Sequence, residues 1–319
     1  MVSRSMRDTV VMSGVLIGFA IIGAVIAVGY LVGRVGVLGP HAEFILGRFA
    51  FFVLSPALLF TVLAEADAAK LFSSLLPVSA IASLSCMAVF IGVARFIWRR
   101  RVPETTIGSL ASGYANANNI GLPIAAYVLG DPAFAAPIIL LQLVIVTPIA
   151  LTILDVSTSG TLSVGRVLSQ PVRNPLIIGS TLGLLLSVTG VELPAPVMEP
   201  FHLIGAAAVP TVLLLFGISL HGRRILDPGS GRRDTVLAVV LKIVAMPTIA
   251  WAVGAFVFGL TGLPLFAVVA LAALPTAQNV FNYALRFERA IPVARDTVLI
   301  TTVLSVPALV VIAALLAPR

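Results

Sequence analysis

The sequence contains very little charge and almost no cysteine. Only 10% of its 319 residues are Asp, Glu, Lys or Arg, and Cys86 is the single cysteine. One cysteine excludes an intrachain disulfide. The three histidines, His41, His202 and His221, are too widely spaced to form a metal-binding motif. We therefore predict no metal centre and no resident cofactor.

Acidic residues are also scarce, and all thirteen Asp and Glu map to loops or to the ends of apolar segments. A membrane-embedded enzyme needs a nucleophile with a base, a metal set or paired carboxylates in one cavity, and the sequence offers none of these. It also lacks the intramembrane carboxylate that is usual in proton-coupled pumps. Sodium coupling stays open, because Asn, Gln, Thr and backbone oxygens can bind a sodium ion.

Apolar residues, in contrast, are abundant: 59% of the chain is hydrophobic and the mean hydropathy is +1.12. Apolar runs long enough to cross a bilayer recur along the whole sequence. This pattern predicts an all-α polytopic membrane protein with short loops, surrounded by the lipid bilayer. Ten spans fit the sequence, at residues 11–33, 44–64, 71–98, 106–129, 133–154, 174–190, 197–220, 235–259, 262–286 and 296–317.

The basic residues predict how the chain is oriented, because Lys and Arg near span ends stay in the cytoplasm. With ten spans, only four of the 20 basic residues fall on the opposite side, namely Arg4, Arg7, Lys70 and Arg319. We therefore expect a multi-pass protein of the plasma (inner) membrane with both termini outside. The net charge of +7 then reflects cytoplasmic loops on an anionic leaflet, so no nucleic-acid partner is predicted.

The loop at 157–173 divides the predicted spans into two groups of five. Because five is odd, the second group enters the membrane from the opposite side, which is the arrangement of an inverted repeat. Internal similarity supports a repeat: span 2 contains SPALLF, and span 7 contains VPTVLLLF. We predict a first repeat at 1–156, a cytoplasmic linker at 157–173 and a second repeat at 174–319.

The fourth span of each half carries polar and helix-breaking residues. Span 4 contains GYANANNIGLPI at 113–124, and span 9 contains ALPTAQNVFN at 273–282. Proline removes a backbone donor and clashes with the preceding turn, and glycine loosens a helix. Within hydrocarbon, a helix is broken only where protein or a water-filled cavity receives the freed backbone groups. We therefore expect span 4 to open at 116–123 and span 9 at 275–282.

Matching breaks in the two halves of a repeat indicate a transport site. After each break a new half-helix begins, and its free N–H groups and positive dipole end favour an anion. Side-chain amides suit such a site, because they donate to a carboxylate and accept from freed N–H groups. The predicted substrate-binding residues are Asn116, Asn118, Asn119, Gln278, Asn279 and Asn282, and the predicted helix crossing consists of Gly121, Pro123, Pro275 and Thr276.

At these residues the chain resembles the auxin efflux carrier family, which includes the plant PIN-FORMED carriers and bacterial relatives. The matching residues are Asn116-x-x-x-x-Gly121-Leu122-Pro123 in span 4, and Ala273-Leu274-Pro275 with Phe281-x-x-Ala284 in span 9. The resemblance implies a bile acid sodium symporter-like fold, with spans 1, 2, 6 and 7 as a scaffold and spans 3–5 and 8–10 as a transport unit. It further implies an elevator-type motion, a homodimer, direct substrate contact by Asn116, and a crossing at Pro123 and Pro275.

The leading hypothesis is a secondary transporter of a small organic anion. Plant members of the family often have a second proline in span 9, where this chain has Val280, and a long central loop that is absent here. The resemblance to bacterial members favours a carboxylate or dicarboxylate such as malate or malonate over an auxin-like aromatic acid. The alternatives are a sodium-coupled organic-anion symporter and, from another class, a non-transporting membrane receptor.

Lys242 is a basic residue inside a predicted span. It lies about 12 Å into span 8, at 1.5 Å per residue. Two roles are open for it: the ammonium snorkels to the cytoplasmic interface, or it attracts an anion from the inward cavity.

Two small-residue motifs predict close helix packing. Gly29-x-x-x-Gly33 lies in span 1 and Gly179-x-x-x-Gly183 in span 6. Their position on two scaffold spans predicts tight packing within the scaffold or at a dimer contact.

Overall fold

The structure, a computed structural model, describes residues 20–39, 41–65, 74–159, 174–219 and 231–318. Throughout these residues the chain forms helices and no strands. Residues 11–19 of the predicted span 1 and residues 160–173 of the predicted linker lie outside the described residues. The prediction of an all-α chain is confirmed for the part that the structure describes.

The helices follow the predicted spans. They are α1 (Ala20–Val35), α2 (Phe44–Glu65), α3 (Leu75–Ile97), α4a (Val102–Gly113), α4b (Leu122–Tyr127), α5 (Pro132–Thr158), α6 (Pro175–Thr189), α7 (Ala195–Ile218), α8 (Arg232–Val257), α9a (Gly262–Ala272), α9b (Gln278–Phe287) and α10 (Ile291–Leu316). Within the described residues, six of them, α2, α3, α5, α7, α8 and α10, are long and apolar enough to cross a membrane. The helices α1, α6 and α9a are shorter but also apolar. A total of ten spans remains a prediction.

Large apolar side chains cover the outside of the helices. Phe96, Phe256 and Leu315 are 79%, 76% and 73% exposed, and many other Val, Ile, Leu and Phe side chains are exposed with them. A soluble protein rarely shows so much contiguous apolar surface. Lipid tails are as apolar as these side chains, so the surface fits a bilayer environment.

The helices pack in two groups. In the first, α2 packs against α6 and α7. In the second, the half-helix α4a is surrounded by α3, α5, α8 and α10, and every residue from Thr105 to Gly113 is buried. The half-helix α4b contacts α7, so the interrupted helix α4 links the two groups.

The glycine motif of α1 packs this helix against α7. A Cβ at Gly29 would overlap the carbonyl oxygen of Leu214, and Gly33 approaches α7 in the same way one turn later. From the other side of the contact, a Cβ at Gly217 would overlap the carbonyl oxygen of Ile26. Only glycine therefore allows the two backbones to come this close.

The second glycine motif packs α6 against α2. A Cβ at Gly179 would lie 2.5 Å from the carbonyl oxygen of Pro56, and one at Gly183 would overlap that of Phe60. Both motifs thus face helices of their own chain. The predicted close packing is confirmed, and these glycines are not available for a contact between two copies.

The same turn occurs twice, each time before an interrupted helix. α3 ends in a π-helical turn at Val93–Ile97, and α8 ends in one at Val253–Val257, so the two turns lie 160 positions apart. Each is followed by a left-handed residue, Arg99 with φ 54° and Gly259 with φ 61°. The closing hydrogen bonds also match: Arg100 N–H donates to Ala94 O at 2.8 Å, and Leu260 N–H donates to Gly254 O at 2.8 Å.

The contact between α1 and α7 makes a specific prediction about stability. In Gly217→Ala the new methyl group meets the α1 backbone, and overpacking of this kind costs about 1–3 kcal/mol. We expect a lower melting temperature for the purified protein, measured by differential scanning fluorimetry. Gly23→Ala, on the partner helix α1, is the control, because a Cβ there meets nothing within 4 Å. Equal melting temperatures for the two variants would contradict the proposed contact.

Candidate functional site

The helix α4 is interrupted for three residues. α4a ends at Gly113, and Tyr114 is extended, with φ −88° and ψ 105°. After Asn116 a π-helical turn, Ala117–Gly121, leads into α4b. The prediction of a break is confirmed, but its range of 116–123 is wrong at both ends, because the break begins at Tyr114 and residues from Ala117 onward are helical. Pro123 lies in the first turn of α4b, directly after the π-helical turn, and not in the break.

The helix α9 is interrupted for five residues, 273–277. α9a ends at Ala272, Ala277 is extended with φ −67° and ψ 141°, and α9b begins at Gln278. The predicted range of 275–282 is therefore wrong at its C-terminal end. Gln278, Asn279 and Asn282 lie in α9b and not in the break.

The two breaks pair with each other through their backbones. Asn116 N–H donates to the carbonyl oxygen of Pro275 at 2.8 Å, and Ala277 N–H donates to the carbonyl oxygen of Tyr114 at 3.0 Å. The two segments run antiparallel. Each break thus receives backbone groups that the other break has freed, as hydrocarbon surroundings require. Because of the antiparallel pairing, the helices that follow both begin at the crossing and leave it in opposite directions.

Thr276 and Gly121 keep the crossing compact. The fully buried Thr276 donates its Oγ1 hydroxyl to the carbonyl oxygen of Ala111 at 2.6 Å, and its N–H donates to Thr301 Oγ1 at 3.0 Å. A Cβ at Gly121 would lie 2.9 Å from the Leu274 side chain. Both residues were predicted at the crossing, and the structure places both of them there.

The asparagines of α4 lie at the start of its second half. Asn116 is buried, and its Oδ1 accepts the N–H of Asn119 at 3.3 Å, which caps the new helix. Asn118 donates to Asn119 Oδ1 at 2.9 Å and to Ser55 Oγ on α2 at 3.5 Å. The Oδ1 of Asn118 is buried without a hydrogen-bond partner among the described residues. The three amides therefore form one cluster that reaches the first helix group.

The three predicted amides of α9b differ in how far they are buried. Gln278 and Asn279, in its first turn, are half-buried, as Asn118 and Asn119 are in α4. Asn282, one turn later, is exposed. Four of the predicted amides therefore occupy matching half-buried positions just after the two breaks, while Asn282 lies farther from the crossing along the helix.

A hydroxyl contact between Tyr114 and Thr147 of α5 also lies at the crossing, and the sequence analysis did not predict it. The buried Tyr114 shares a hydrogen bond of 2.9 Å with Thr147 Oγ1 of α5. Asn279 and Tyr283 of α9b lie near its phenol. Tyr114 lies in the polar stretch 113–124 of span 4. A phenol hydroxyl inside an apolar span needs a hydrogen-bond partner, and this need was the signal in the sequence for the contact.

Lys242 is fully buried in α8. Its Nζ donates to the carbonyl oxygen of Ala272 at 2.7 Å and lies 3.2 Å from Met246 Sδ. The expectation that it snorkels to the interface is therefore wrong, because the side chain is fully buried and donates to the C-terminal end of α9a. A role in attracting an anion stays a prediction.

These features define a class of protein. The chain is a helical membrane protein with a polar centre made of paired backbone segments, amides and hydroxyls. Among the described residues, no group of three His, Cys, Asp or Glu is placed to hold a metal ion. The centre can donate and accept hydrogen bonds, but its groups are not arranged as a nucleophile with a base.

Comparison with known proteins identifies the family. The profile described as "Membrane transport protein" matches residues 15–313. The chain therefore belongs to this family, which is the auxin efflux carrier family, and it is a transporter and not an enzyme. The resemblance noted in the sequence is confirmed.

Two curated relatives match nearly the whole chain. A Rhizobium meliloti (strain 1021) protein named "Putative malonate transporter" is 25% identical over 293 residues, which are 88% of this chain and 89% of the relative. A Methanothermobacter thermautotrophicus (strain Delta H) protein named "Uncharacterized transporter" is 23% identical over 289 residues, or 89% of this chain and 92% of the relative.

The hydroxyl of Thr276 makes a testable contribution to the crossing. Thr276→Val keeps the shape of the side chain but leaves the Ala111 carbonyl without this donor, and an unpaired buried polar group costs about 1–3 kcal/mol. We expect a lower melting temperature and faster hydrogen–deuterium exchange at residues 275–277. Thr276→Ser keeps the hydroxyl and should exchange like the wild type. A valine variant with wild-type exchange would show that the hydroxyl does not hold the crossing.

Proposed function

We propose that this protein is a secondary transporter of a small organic anion, a carboxylate or dicarboxylate such as malonate or malate. The observation that carries the proposal is the backbone pairing of residues 114–116 with residues 275–277. Because of this pairing, two half-helices begin at one place inside the membrane-spanning part of the molecule.

The electrostatics of the crossing favour an anion. The first N–H groups of a helix lack intrahelical partners and carry a partial positive charge. The turn at Ala117–Gly121 and the helix α9b both present this end at the crossing. Screening by water is weak at this depth, so the two ends attract a negative ligand more strongly than they would at a surface.

The amides next to these ends supply hydrogen bonds without a buried charge. In the proposal, Asn116, Asn118, Asn119, Gln278 and Asn279 bind the substrate, and the exposed Asn282 contributes at the edge of the site. An amide can donate to a carboxylate and accept from a backbone N–H, so it serves the site with and without substrate.

A dicarboxylate matches the geometry better than a single carboxylate does. Two positive helix ends at one crossing offer one site for each carboxylate. The name of the Rhizobium meliloti relative, "Putative malonate transporter", supports the same substrate class. An auxin-like aromatic acid would use only one of the two ends.

The packing of the helices supports the proposed architecture of two inverted repeats. Matching turns precede α4 and α9 at positions 160 apart, and the half-buried amides Asn118 and Gln278 are also 160 apart. The proposal places one repeat at 1–156 and the other at 174–319. The close glycine contacts of α1, α2, α6 and α7 suit a rigid scaffold, and α3 to α5 with α8 to α10 suit a transport unit that moves against it in an elevator-type cycle.

The membrane orientation and the oligomeric state belong to the same proposal. Arg100, after α3, forms an ion pair with Asp234 at the start of α8, with Nη2 and Oδ2 2.6 Å apart and Nε and Oδ1 3.2 Å apart. The pair joins two segments that the basic residues assign to the cytoplasmic side. We propose a plasma-membrane protein with both termini outside that forms a homodimer.

Asn116 provides the direct test of the site. We expect Asn116→Ala to reduce the uptake of radiolabelled malonate into proteoliposomes at least about tenfold, the factor produced by losing 1.4 kcal/mol of binding free energy. The protein should still fold, since replacing an N-cap costs about 0.5–2 kcal/mol.

Asn174→Ala is the matched control for this experiment. Asn174 also caps a helix, with its Oδ1 accepting Leu176 N–H at 3.0 Å, but it lies at the start of α6, away from the crossing. It should lose similar stability and keep its transport rate. Normal malonate flux in a folded Asn116→Ala variant would refute the site, and a wild-type protein that carries none of malonate, malate and an aromatic acid would refute the function.

A further inference from the structure

The surroundings of Lys242 differ from those of an ordinary lysine in a membrane helix. Its ammonium is completely buried and contacts the carbonyl oxygen of Ala272 and the sulfur of Met246. Among the described residues, no carboxylate contacts it. A buried, unpaired charge at membrane depth is costly, so such residues are functional candidates.

The oxygen that Lys242 contacts belongs to the end of a half-helix. Ala272 is the last residue of α9a, directly before the break. The last carbonyls of a helix lack intrahelical partners and carry a partial negative charge. The ammonium therefore supplies both a hydrogen bond and an opposite charge to the C-terminal end of α9a.

In the other interrupted helix, α4, an uncharged side chain caps the C-terminal end of the first half. Gly113 is the last residue of α4a, and its carbonyl oxygen accepts a hydrogen bond from Ser83 Oγ of α3 at 2.8 Å. Ser83 is as completely buried as Lys242. Since a neutral hydroxyl is sufficient to cap one half-helix, the charge of Lys242 is not needed for capping alone.

The position of the cap indicates what the charge contributes. Ala272 lies four residues before the crossing residue Thr276, and α9b begins directly after the crossing. A charge in surroundings of low dielectric acts over several ångströms without direct contact. We infer that Lys242 is a positioning residue for the proposed anion site: it caps α9a, holds the break of α9 in place, and, when its amine is protonated, adds a positive charge that raises the affinity of the site for anions of higher charge.

This inference rests on the proposed function, and its test needs variants that separate the cap from the charge. Lys242→Met removes both the donor and the charge, whereas Lys242→Arg keeps both. Ser83→Ala removes the neutral cap of α4a and is the matched control. Hydrogen–deuterium exchange at residues 273–277 and 114–116 reports the two breaks without any ligand.

Binding is measured with two ligands of nearly equal size and different charge. Malonate carries two carboxylates and its monoamide, malonamate, carries one, and both are titrated at constant ionic strength while the melting temperature is followed. A Coulomb interaction is proportional to the charge of the ligand. A purely structural defect should lower the affinities for both ligands by the same factor.

We expect Lys242→Met to speed hydrogen–deuterium exchange at residues 273–277. It should lower the affinity for malonate about tenfold and that for malonamate only about threefold, because halving the ligand charge halves the interaction energy. Lys242→Arg should restore exchange and the preference for malonate. Ser83→Ala should speed exchange at 114–116 and leave the ratio of the two affinities unchanged.

Two results would overturn the inference while leaving the proposed function intact. One is a Lys242→Met variant whose affinities for malonate and malonamate fall by the same factor. The other is a Lys242→Met variant with wild-type exchange at 273–277. A wild-type protein that binds neither ligand would instead overturn the proposed function, and the charge role of Lys242 with it.

Discussion

The backbone pairing between residues 114–116 and residues 275–277 is the interaction on which the rest of the structure depends. A broken helix inside a bilayer exposes N–H and C=O groups that water cannot reach, and each unpaired group costs several kilocalories per mole. Here each break supplies partners to the other. The pairing therefore stabilises both interruptions at once and joins two segments that are far apart in the chain.

At the crossing, the carbonyl ends and the amino ends of the half-helices have different hydrogen-bond partners. At the carbonyl ends, the chain provides its own donors: the Thr276 hydroxyl contacts Ala111, the Ser83 hydroxyl contacts Gly113, and the Lys242 ammonium contacts Ala272. At the amino ends, the neighbouring groups are neutral amides that both donate and accept. The carbonyl ends are thus compensated from within, whereas Asn116 caps the amino end after the break of α4 only in part and α9b has no side-chain cap. This asymmetry supports the proposal that the ligand is an anion.

The amides lie where the two helix groups meet. Asn118 reaches Ser55 of α2, and the turn before α4b packs against α7. The first group is held together by backbone contacts at glycines, which leave little freedom for its helices to move relative to one another. In the proposed transport cycle, motion of the second group against the first would open and close a site at this boundary, as alternating access requires.

The sequence by itself determined the class of the protein, the positions of the described helices, the presence of a break in α4 and α9, and the close packing at the two glycine motifs. Hydropathy, proline and glycine act locally, so their effects can be read residue by residue. Only the tertiary structure decided where the breaks end and which groups complete them. α9b begins at Gln278 because Ala277 N–H donates to the carbonyl oxygen of Tyr114. Lys242 is buried because its Nζ donates to the carbonyl oxygen of Ala272. Those partners are remote in the chain, and local preferences carry no information about which remote group will satisfy a freed backbone atom.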